Sequence, residues 1–473
     1  MVMEEENSMK EHLLLQKKAE EGDGGRDGGA PTLVLIFSIF VSVCGSFVSG
    51  CAMGYTSPVQ SEIVADLALS TADFSLFGSM LTVGGLLGSL LCGRMTDYLG
   101  RRYTMALSDI LGITGWLAIA FSKDAWSLDL GRLALGLAVG HTVYVVPVYI
   151  AEITPKNLRG GSVLLHQFMS SCGIALAYIV GLATTWRTLA LIGAIPCIVQ
   201  FLGLFFIPES PRWLVKIGRD GDYVAALQSL RGKNVDISSE ATDMKEYTKA
   251  VENISEDNLF KVFRMKYAYA LTVSLGLMAL ASFGGTNGFL FYATNTFESA
   301  GVPVVVGTIA MALIQLPPIF LGVFLMDNFG RRPLLLISVS GMGTACLFVA
   351  LSFLMKEHGW LTHFSPYLAL IGVLMFSAAF PVGMGGIPFL IMSEIFPINI
   401  KGAAGSLATI VSWSTAWIVS YSFNFMMDWS SSGTFFIFTG INIFSVLFVA
   451  KLVPETKGQT LEEIQEAISQ TPY

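Results

Sequence analysis

The chain reads GRMTDYLGRR at residues 93–102, and DNFGRR, a copy of the end of that motif, stands at residues 327–332. In both places an Asp is followed three positions later by Gly-Arg-Arg, directly after a long apolar segment. The glycine permits a tight backbone turn between two such segments. Asp97 and Asp327 are 230 positions apart in a chain of 473 residues. One copy of the motif in each half indicates that the chain is internally duplicated.

Two further motifs repeat in the same order. The chain reads EITPKNLRG at residues 152–160 and EIFPINIKG at residues 394–402, which is 242 positions later. It reads PESPR at residues 208–212 and, shortened, PETKG at residues 454–458, which is 246 positions later. Three motifs in one order at nearly constant spacing are typical of a duplicated membrane protein with parallel halves and a site between them.

The composition is that of an all-α membrane protein. Hydrophobic residues make up 53% of the chain, charged residues 13%, and the mean hydropathy is +0.63, whereas soluble domains carry about a quarter charged residues. Apolar runs of about 20 residues, the length that crosses a bilayer, lie near residues 32–54, 73–93, 104–121, 128–149, 161–183, 187–207, 268–292, 303–325, 334–355, 366–390, 402–426 and 434–452. Because only helices and closed barrels satisfy the backbone hydrogen bonds in lipid, we expect twelve transmembrane helices.

The distribution of basic residues predicts the orientation of the chain in the membrane. Of 28 Lys and Arg, only Lys123, Arg132, Arg187 and Lys356 fall on one side of the predicted spans, and 24 fall on the side that holds both termini. Since basic residues stay on the cytoplasmic side, we expect both termini and the loop at 208–266 to face the cytosol.

These boundaries divide the chain into five parts. They are a disordered cytosolic N-terminal tail at 1–31, the first six spans at 32–207, a cytosolic linker at 208–266, the last six spans at 267–452, and a cytosolic C-terminal tail at 453–473. Residues 1–31 are polar and rich in glycine, as disordered segments are. Helical spacing of apolar residues predicts short cytosolic helices at 219–231, 240–252 and 459–469.

Carboxylates accompany the repeated Arg residues at matched positions in both halves. Membrane topology explains the positive charges alone, but it does not require those carboxylates. A set of breakable ion pairs explains both, because such pairs hold one conformation closed at the cytosolic end and separate in another. The expected gating residues are Asp97, Arg101, Arg102, Glu152, Arg159, Glu209, Arg212, Asp327, Arg331, Arg332, Glu394 and Glu455.

Together with FGGTNG at 283–288, MSEIFP at 392–397 and KLVPETKGQTLEEIQ at 451–465, these motifs resemble the sugar-porter branch of the major facilitator superfamily. The resemblance covers residues 32–469 and is closest to the early-responsive-to-dehydration-like plant monosaccharide transporters. It implies the major facilitator fold, with twelve helices in two six-helix bundles at 32–207 and 267–452. It also implies a central sugar site and transport by alternating access.

Polar side chains inside the apolar spans are candidate sugar ligands, because polar groups there are costly and usually functional. A sugar needs hydrogen-bond partners around its hydroxyls. The four candidates are His166, Gln167, Asn287 and Gln315. The resemblance implies a substrate contact early in the fifth span, where His166 and Gln167 lie, and at Asn287, which matches the seventh-span motif. Gln315 falls where relatives place an Asn in the eighth span. The alternative for each side chain is an interhelical hydrogen bond that stabilises the bundle.

Three aromatic side chains are candidates for contact with the C–H face of a sugar. They are Tyr292, Trp413 and Phe389, the last at a position where relatives commonly carry Trp. The tenth span also contains Gly383, Gly385, Gly386 and Pro388. This composition predicts a broken helix of the kind that a gate uses.

The chain departs from the family pattern near the implied site. Relatives usually carry two Gln just before the seventh-span motif, where this chain has Ala281 and Ser282. Pro381 stands where mammalian glucose carriers have a Glu, and Ser412 stands where relatives have an Asn before Trp. Loss of both Gln removes several donors and acceptors from one wall of the site, so the identity of the substrate stays open.

The resemblance also bears on energy coupling. Proton-driven relatives carry an Asp directly after Gly-Tyr in the first span, where this chain has Thr56. Arg132, which would face that Asp, has Asp129 three residues earlier on its own helix as an expected partner. Asp109, inside the third span, is a candidate proton site, with pairing inside the bundle as the alternative. We therefore expect facilitated diffusion, with a proton-coupled carrier as the alternative.

The leading function is a monosaccharide carrier, in first place for a hexose, with a carrier of another polyol-like solute as an alternative. A non-transporting sugar sensor is a further alternative, which the short tails disfavour. An enzyme is disfavoured because the sequence shows no nucleophile–base pair, metal-ligand cluster or phosphate-binding Gly loop. We expect no cofactor, no metal and no nucleic-acid partner. The expected partners are a small sugar and the lipid bilayer, for a monomeric transport unit in the vacuolar or plasma membrane.

Overall fold

The computed structural model describes residues 32–155, 159–233, 235–252, 267–396 and 398–457, and these ranges form nineteen helices and no strands. The helices of the first half are α1 (Leu33–Gly54), α2 (Thr56–Leu67), α3 (Thr71–Leu99), α4 (Arg101–Ala120), α5 (Ala125–Ile153), α6 (Arg159–Gly181) and α7 (Trp186–Gly203). The helices of the linker are α8 (Pro211–Lys216), α9 (Asp220–Arg231) and α10 (Ser238–Glu252). The helices of the second half are α11 (Ala268–Phe283), α12 (Thr286–Ala300), α13 (Val304–Ile314), α14 (Pro317–Phe329), α15 (Arg331–Glu357), α16 (Ser365–Val382), α17 (Ile387–Ile395), α18 (Ile398–Trp429) and α19 (Ser431–Leu452).

The prediction of an all-α membrane protein is confirmed. Eleven of the helical segments are long and apolar enough to cross a bilayer, and Leu165–Gly181 within α6 is a shorter apolar helix at the position of the fifth predicted span. Each of the twelve predicted spans therefore coincides with one helix or with two consecutive helices. The predicted tail at 1–31 and the predicted helix at 459–469 lie outside the described residues.

Several spans are interrupted near their middle. The seventh span bends where α11 ends and Gly285 adopts a left-handed φ of 102°, a conformation that glycine tolerates without strain. The eighth breaks before Pro317, which cannot donate a backbone hydrogen bond and so ends the preceding helix. The tenth breaks between Val382 and Ile387, which confirms the predicted broken helix.

Glycines allow the closest helix crossing in the first half, between α1 and α6. A Cβ added to Gly50 would lie 1.8 Å from the backbone oxygen of Ser170, and one added to Gly173 would lie 2.1 Å from that of Phe47. Such contact between backbones is available only to glycine, and it is typical of packed transmembrane helices. The crossing places His166 of α6 directly against Ser46 of α1.

The linker helices are docked on the first half. Trp213, Leu227 and Ile237 form a small apolar core between α8, α9 and the start of α10. Thr32 donates its hydroxyl to the backbone oxygen of Leu230 at 2.8 Å. Arg231 donates to the backbone oxygen of Ile153 at 2.8 Å. These bonds connect the linker to the starts and ends of transmembrane helices.

The two ends of the bundle differ in charge. We call the end that carries the two Gly-Arg-Arg turns, at residues 100–102 and 330–332, the basic end, and the other the opposite end. Helix pairs α2–α12, α3–α18 and α6–α13 pack across the boundary between the halves. The surface between the halves is therefore built mainly from α2, which follows the first span, from the interrupted seventh and eighth spans, and from the second, fifth and eleventh spans.

Candidate functional site

The first charge cluster lies at the basic end of the first half and consists of Arg101, Glu152, Glu209 and Ser210. Arg101 donates from Nε and Nη2 to the two carboxylate oxygens of Glu152, both at 2.8 Å. This two-pronged geometry is the strongest form of the Arg–carboxylate pair. Ser210 donates its hydroxyl to the same carboxylate at 2.6 Å, so the cluster joins α4, α5 and the segment before α8.

Glu209 closes the start of α4. Its carboxylate accepts the backbone N–H of Arg101 at 3.1 Å and that of Arg102 at 3.1 Å. A helix start has unsatisfied N–H groups and favours negative charge, so a glutamate more than a hundred residues away serves as its cap. Gly100 permits this contact, because its φ is 93° and a Cβ would lie 2.7 Å from a carboxylate oxygen of Glu209.

The second charge cluster repeats this arrangement with Arg331, Glu394, Glu455 and Thr456. Glu455 accepts the backbone N–H of Arg331 at 2.9 Å and that of Arg332 at 3.0 Å. Arg331 donates to Glu394 at 3.1 Å, and Thr456 donates its hydroxyl to the same carboxylate at 2.6 Å. The sequence repeat is therefore also a repeat of hydrogen bonds.

The two capping glutamates differ in acidity. Burial raises the pKa of the Glu209 carboxyl, although backbone N–H donors act in the opposite direction. For Glu455 burial also acts to raise the pKa, but the N–H groups of Arg331, Lys457, Arg332 and Thr456 outweigh it and the pKa is lowered. The first cluster is therefore the one that takes up a proton more readily as the pH falls.

The other expected gating residues have different surroundings. Asp97 lies 3.0 Å from the ammonium of Lys216 and 3.9 Å from Arg101. The guanidinium of Arg332 donates to the backbone oxygen of Ala450, and Arg212 is the second residue of α8. The side chains of Arg159 and Asp327 lie outside the described part of the chain.

The ion pairs of Asp97, Arg101 and Arg331 each join two residues of the same half, or a residue of that half and one of the linker. The charge clusters thus connect helices within a half. Sequence reasoning identified the charged members and missed Ser210 and Thr456. The signal was present, because a hydroxyl residue directly follows each repeated Pro-Glu pair.

The polar candidates for sugar contact fall into different environments. His166 lies 2.6 Å from the hydroxyl of Ser46 across the α1–α6 crossing. Gln167, the next residue, is exposed, and Asn287 is half-buried in the first turn of α12. Gln315 is buried at the break between α13 and α14, with a 3.4 Å bond to the backbone oxygen of Ala312. Gln167 and Asn287 are therefore the amides with accessible surface.

The aromatic candidates for sugar contact also lie in different environments. The ring of Phe389 in α17 is 46% exposed. Trp413 of α18 lies against Gly85 of α3, since a Cβ there would meet its ring at 2.5 Å. Trp413 is thus a contact between the halves near the middle of both helices.

Tyr292 lies in a closed contact between the two halves at the opposite end and has no accessible surface. It is fully buried, donates its hydroxyl to the backbone oxygen of Ser420 at 2.8 Å, and stacks on Phe423 with 5.0 Å between ring centres. Its ring also meets Phe74 of the first half edge-on at 6.4 Å. In this conformation the side chain seals the boundary between the halves.

Hydrogen bonds that sequence reasoning missed strengthen the same closure. Tyr178 donates its hydroxyl to the backbone oxygen of Leu290 at 2.6 Å. The hydroxyl of Ser57 lies 2.9 Å from that of Thr294 and accepts its backbone N–H at 2.9 Å. These are common polar residues in separate halves, so no sequence pattern pairs them.

Near the middle of the bundle and toward the basic end, an aromatic contact joins the halves: Phe168 and Phe320 lie 4.9 Å apart between ring centres. Asn424 at the opposite end donates to the hydroxyl of Ser75 at 3.0 Å. Hydrogen bonds between the halves thus gather at the opposite end, whereas the charge clusters at the basic end remain within their halves. The conformation is closed at the opposite end.

The expected pair of Asp129 with Arg132 is wrong. Arg132 is completely buried and its guanidinium contacts the hydroxyl of Thr56 and, at 2.8 Å, the backbone oxygen of Ala52. It also lies over the ring of Phe77 at 5.3 Å. The side chain points toward α1, so Asp129 keeps one carboxylate oxygen without a partner among the described residues.

Asp109, the candidate proton site, is buried in α4 with 4% of its surface exposed. Its Oδ2 oxygen has no hydrogen-bond partner within the described ranges. A buried carboxylate without full hydrogen bonding is costly in its charged form.

Comparison with known proteins identifies the family. The family model described as "Sugar (and other) transporter" matches residues 34–468. Sugar transporter ERD6-like 7 of Arabidopsis thaliana is 47% identical over 92% of this chain and 94% of its own length. Sugar transporter ERD6-like 16 of the same plant is 48% identical over 95% of this chain and 93% of its own.

Among solved structures, the inward open conformation of the xylose transporter XylE from E. coli matches with a TM-score of 0.78 and 25% identity. The match covers 92% of this chain and 99% of that one. The resemblance to the early-responsive-to-dehydration-like transporters and the twelve-helix major facilitator fold are both confirmed, and the matched proteins are transporters and not enzymes. This multi-pass membrane chain belongs to the sugar transporter family.

Proposed function

We propose that this protein is a carrier that moves a monosaccharide, in first place a hexose, across a membrane by alternating access. The observation that carries the proposal is the distribution of bonds between the halves. The opposite end is closed by hydrogen bonds and stacked rings between the halves, whereas the basic end holds its charges within each half. Hydrogen bonds between the halves that gather at one end are the arrangement that a rocking carrier requires.

We place the basic end on the cytosolic side, with both termini, because basic residues stay on that side of a membrane. The conformation described here is then the inward-facing one. A single chain contains both halves, which supports a monomeric transport unit. We propose the vacuolar or plasma membrane as its location. The relatives named as sugar transporters support a sugar as the substrate.

Gln167 and Asn287 are the side chains that we propose as sugar ligands in this conformation, because both combine an amide with accessible surface. Phe389 is the proposed aromatic contact, because it is accessible in the second half. His166 and Gln315 support the site from behind through their bonds to Ser46 and Ala312. Tyr292 and Trp413 are proposed to gain contact with the sugar only when the opposite end opens.

Uptake by the purified full chain in liposomes tests the proposal. Labelled hexoses, pentoses and polyols are offered separately, with protein-free liposomes as the control. We expect saturable uptake of at least one monosaccharide, inhibited by an excess of the same unlabelled sugar. Absence of saturable uptake of every monosaccharide by correctly folded protein would contradict the proposal, and saturable uptake of polyols alone would support the alternative substrate.

We further propose facilitated diffusion, because Arg132 contacts the uncharged Thr56 where a proton-driven carrier needs a carboxylate. Proton coupling is the second candidate, favoured by the partly unsatisfied Asp109. Liposomes that hold equal sugar inside and outside are given an inward proton gradient. We expect no net accumulation. Uphill uptake that an uncoupler abolishes, and that Asp109→Asn removes, would establish the second candidate instead.

A further inference from the structure

A cavity of about 380 Å³ lies at the basic end of the first half, away from the surface between the halves. It is bounded by the start of α4, by the segment that precedes α8, and by α9. Its size is within the range of pockets that hold small molecules. The side chains that bear on its chemistry are Arg102, Tyr103, Glu209, Trp213, Arg219 and Ser229.

The cavity contains a cation that the protein does not neutralise. The guanidinium of Arg102 has no hydrogen-bond or ion-pair partner among the residues that the structure describes, although the residue is half-buried. Its counterpart in the second half, Arg332, donates to the backbone oxygen of Ala450. The two copies of the repeated residue thus have different surroundings, and the copy beside α9 lines a cavity.

The two carboxylates in the cavity wall do not cancel this charge. Glu209 directs its oxygens to the backbone N–H groups of Arg101, Arg102 and Ser210, so its charge is matched by the start of α4. Asp222 lies 3.7 Å from Arg219, with both side chains about two-thirds exposed. A solvated pair of this kind contributes little, and Arg219 can turn toward an anion in the cavity.

The remaining lining suits a ring that carries hydroxyl groups. Tyr103 is 64% exposed at the rim and presents both a ring and a hydroxyl. Trp213 forms part of the wall, and its indole N–H is fixed by a 2.9 Å bond to the backbone oxygen of Asp97. Aromatic rings pack against the C–H faces of polyol rings, while hydroxyl groups bond to their oxygens.

We propose that this cavity binds a phosphorylated polyol ring, with the phosphate between Arg102 and Arg219 and the ring against Tyr103 and Trp213. Guanidinium groups match the oxygens of a phosphate in pairs, and two of them line one cavity here. The ligand would join the start of α4 to α9 and so hold the linker on the first half. The chemistry is shared by a soluble sugar phosphate and by the headgroup of an inositol phospholipid.

The experiment has two arms, both with the full chain in nanodiscs. In the first arm the lipid is phosphatidylcholine alone, and binding of labelled glucose 6-phosphate is measured by equilibrium dialysis with excess unlabelled glucose present. In the second arm phosphatidylinositol 4-phosphate is added to the lipid, with phosphatidylserine as the charge control, and bound lipid is counted by native mass spectrometry. Binding in the first arm identifies a soluble ligand, and binding in the second arm alone identifies a lipid.

Three variants locate the binding. Arg102→Gln combined with Arg219→Gln should weaken binding at least tenfold, and the matched variant Arg332→Gln should leave it unchanged. Ala225→Trp keeps every charge but fills the cavity, which Ala225 lines, and it should also abolish binding. This variant decides the matter if the double variant does not fold. No binding in either arm, unchanged binding in Ala225→Trp, or equal loss in Arg332→Gln would overturn the proposal.

Discussion

Arg101 and Arg102 are neighbours in the chain, yet their side chains have different surroundings. Arg101 holds Glu152 through two 2.8 Å hydrogen bonds, and the two side chains are only 11% and 13% exposed. Arg102 takes part in the first charge cluster through its backbone N–H, which Glu209 accepts. The repeat Gly-Arg-Arg therefore places one side chain in an ion pair, while Glu209 caps the backbone N–H groups of both Arg residues.

We expect Arg101→Ala to lower the free energy of unfolding by about 3–5 kcal/mol, because it leaves the buried carboxylate of Glu152 without its cation. Thermal unfolding in detergent measures the change, and sugar uptake should fall with it. Arg102→Ala is the matched control, with an expected loss below about 1 kcal/mol. Equal losses in the two variants would show that the side-chain pair does not carry the stability.

Gln167 is exposed and Asn287 is half-buried, and these are the accessible amides among the proposed sugar ligands. Loss of a hydrogen bond to an uncharged hydroxyl typically costs about 0.5–1.5 kcal/mol, and leaving a buried partner unpaired costs about 1–3 kcal/mol. We therefore expect Gln167→Ala to weaken sugar binding roughly three- to a hundred-fold, as measured by equilibrium binding to purified protein. Gln315→Ala removes a buried side chain. It is the control that separates loss of a direct sugar contact from loss of support for the site. Unchanged affinity in Gln167→Ala and Asn287→Ala would place the sugar elsewhere.

At the scale of elements, the starts of α4 and α15 have the same construction. Each begins after a glycine with a φ near 90°, and each is capped by a glutamate from a distant loop. The sequence shows the glycine and the glutamate, but their distance along the chain hides the contact. The cap fixes the helix start to the segment that follows the last span of the half.

Gly100→Ala tests this construction. A Cβ there would lie 2.7 Å from a carboxylate oxygen of Glu209, in a left-handed backbone conformation. Such strain costs about 1–3 kcal/mol, so we expect a lower unfolding temperature. Gly93→Ala is the control, because a Cβ at that position meets no atom within 4 Å, and alanine favours the helix by about 1 kcal/mol. A variant Gly100→Ala as stable as Gly93→Ala would show that the cap tolerates a side chain.

At the scale of the whole molecule, the balance between the two conformations of the proposed transport cycle depends on the hydrogen bonds between the halves at the opposite end. Ser57 and Thr294 make two hydrogen bonds between the halves, both at 2.9 Å. These bonds must break when the opposite end opens. Each one therefore favours the conformation described here over the alternative.

We expect Ser57→Ala to shift this balance toward the conformation that is open at the opposite end. Each hydrogen bond contributes about 1 kcal/mol and Ser57→Ala removes both of them, so the ratio of the two conformations should change roughly thirty-fold. Distances between spin labels placed at the opposite end report the two populations. Ser61→Ala, an exposed position on the same helix, should leave the populations unchanged. The same distribution in Ser57→Ala and in the unmodified protein would show that these hydrogen bonds do not affect the balance between the two conformations.

The sequence alone determined the duplication, the number of spans and the positions at which the tenth span breaks. These features depend on local composition and spacing, because each span must satisfy its own backbone in lipid whatever its neighbours are. The charged members of both clusters were also predictable, since a repeat preserves them in order. The candidate ligands Gln167 and Asn287 were identifiable as polar residues in apolar spans.

Only the tertiary structure decided which of these residues meet. It paired Glu209 with the start of α4, turned Arg132 toward Thr56 instead of Asp129, and buried Tyr292 in the closed end. Such contacts join residues from separate helices, and their geometry depends on how rigid helices cross and not on any local pattern. For the same reason the sequence could not show which end is closed, because both conformations use the same twelve spans and differ only in the contacts between two halves.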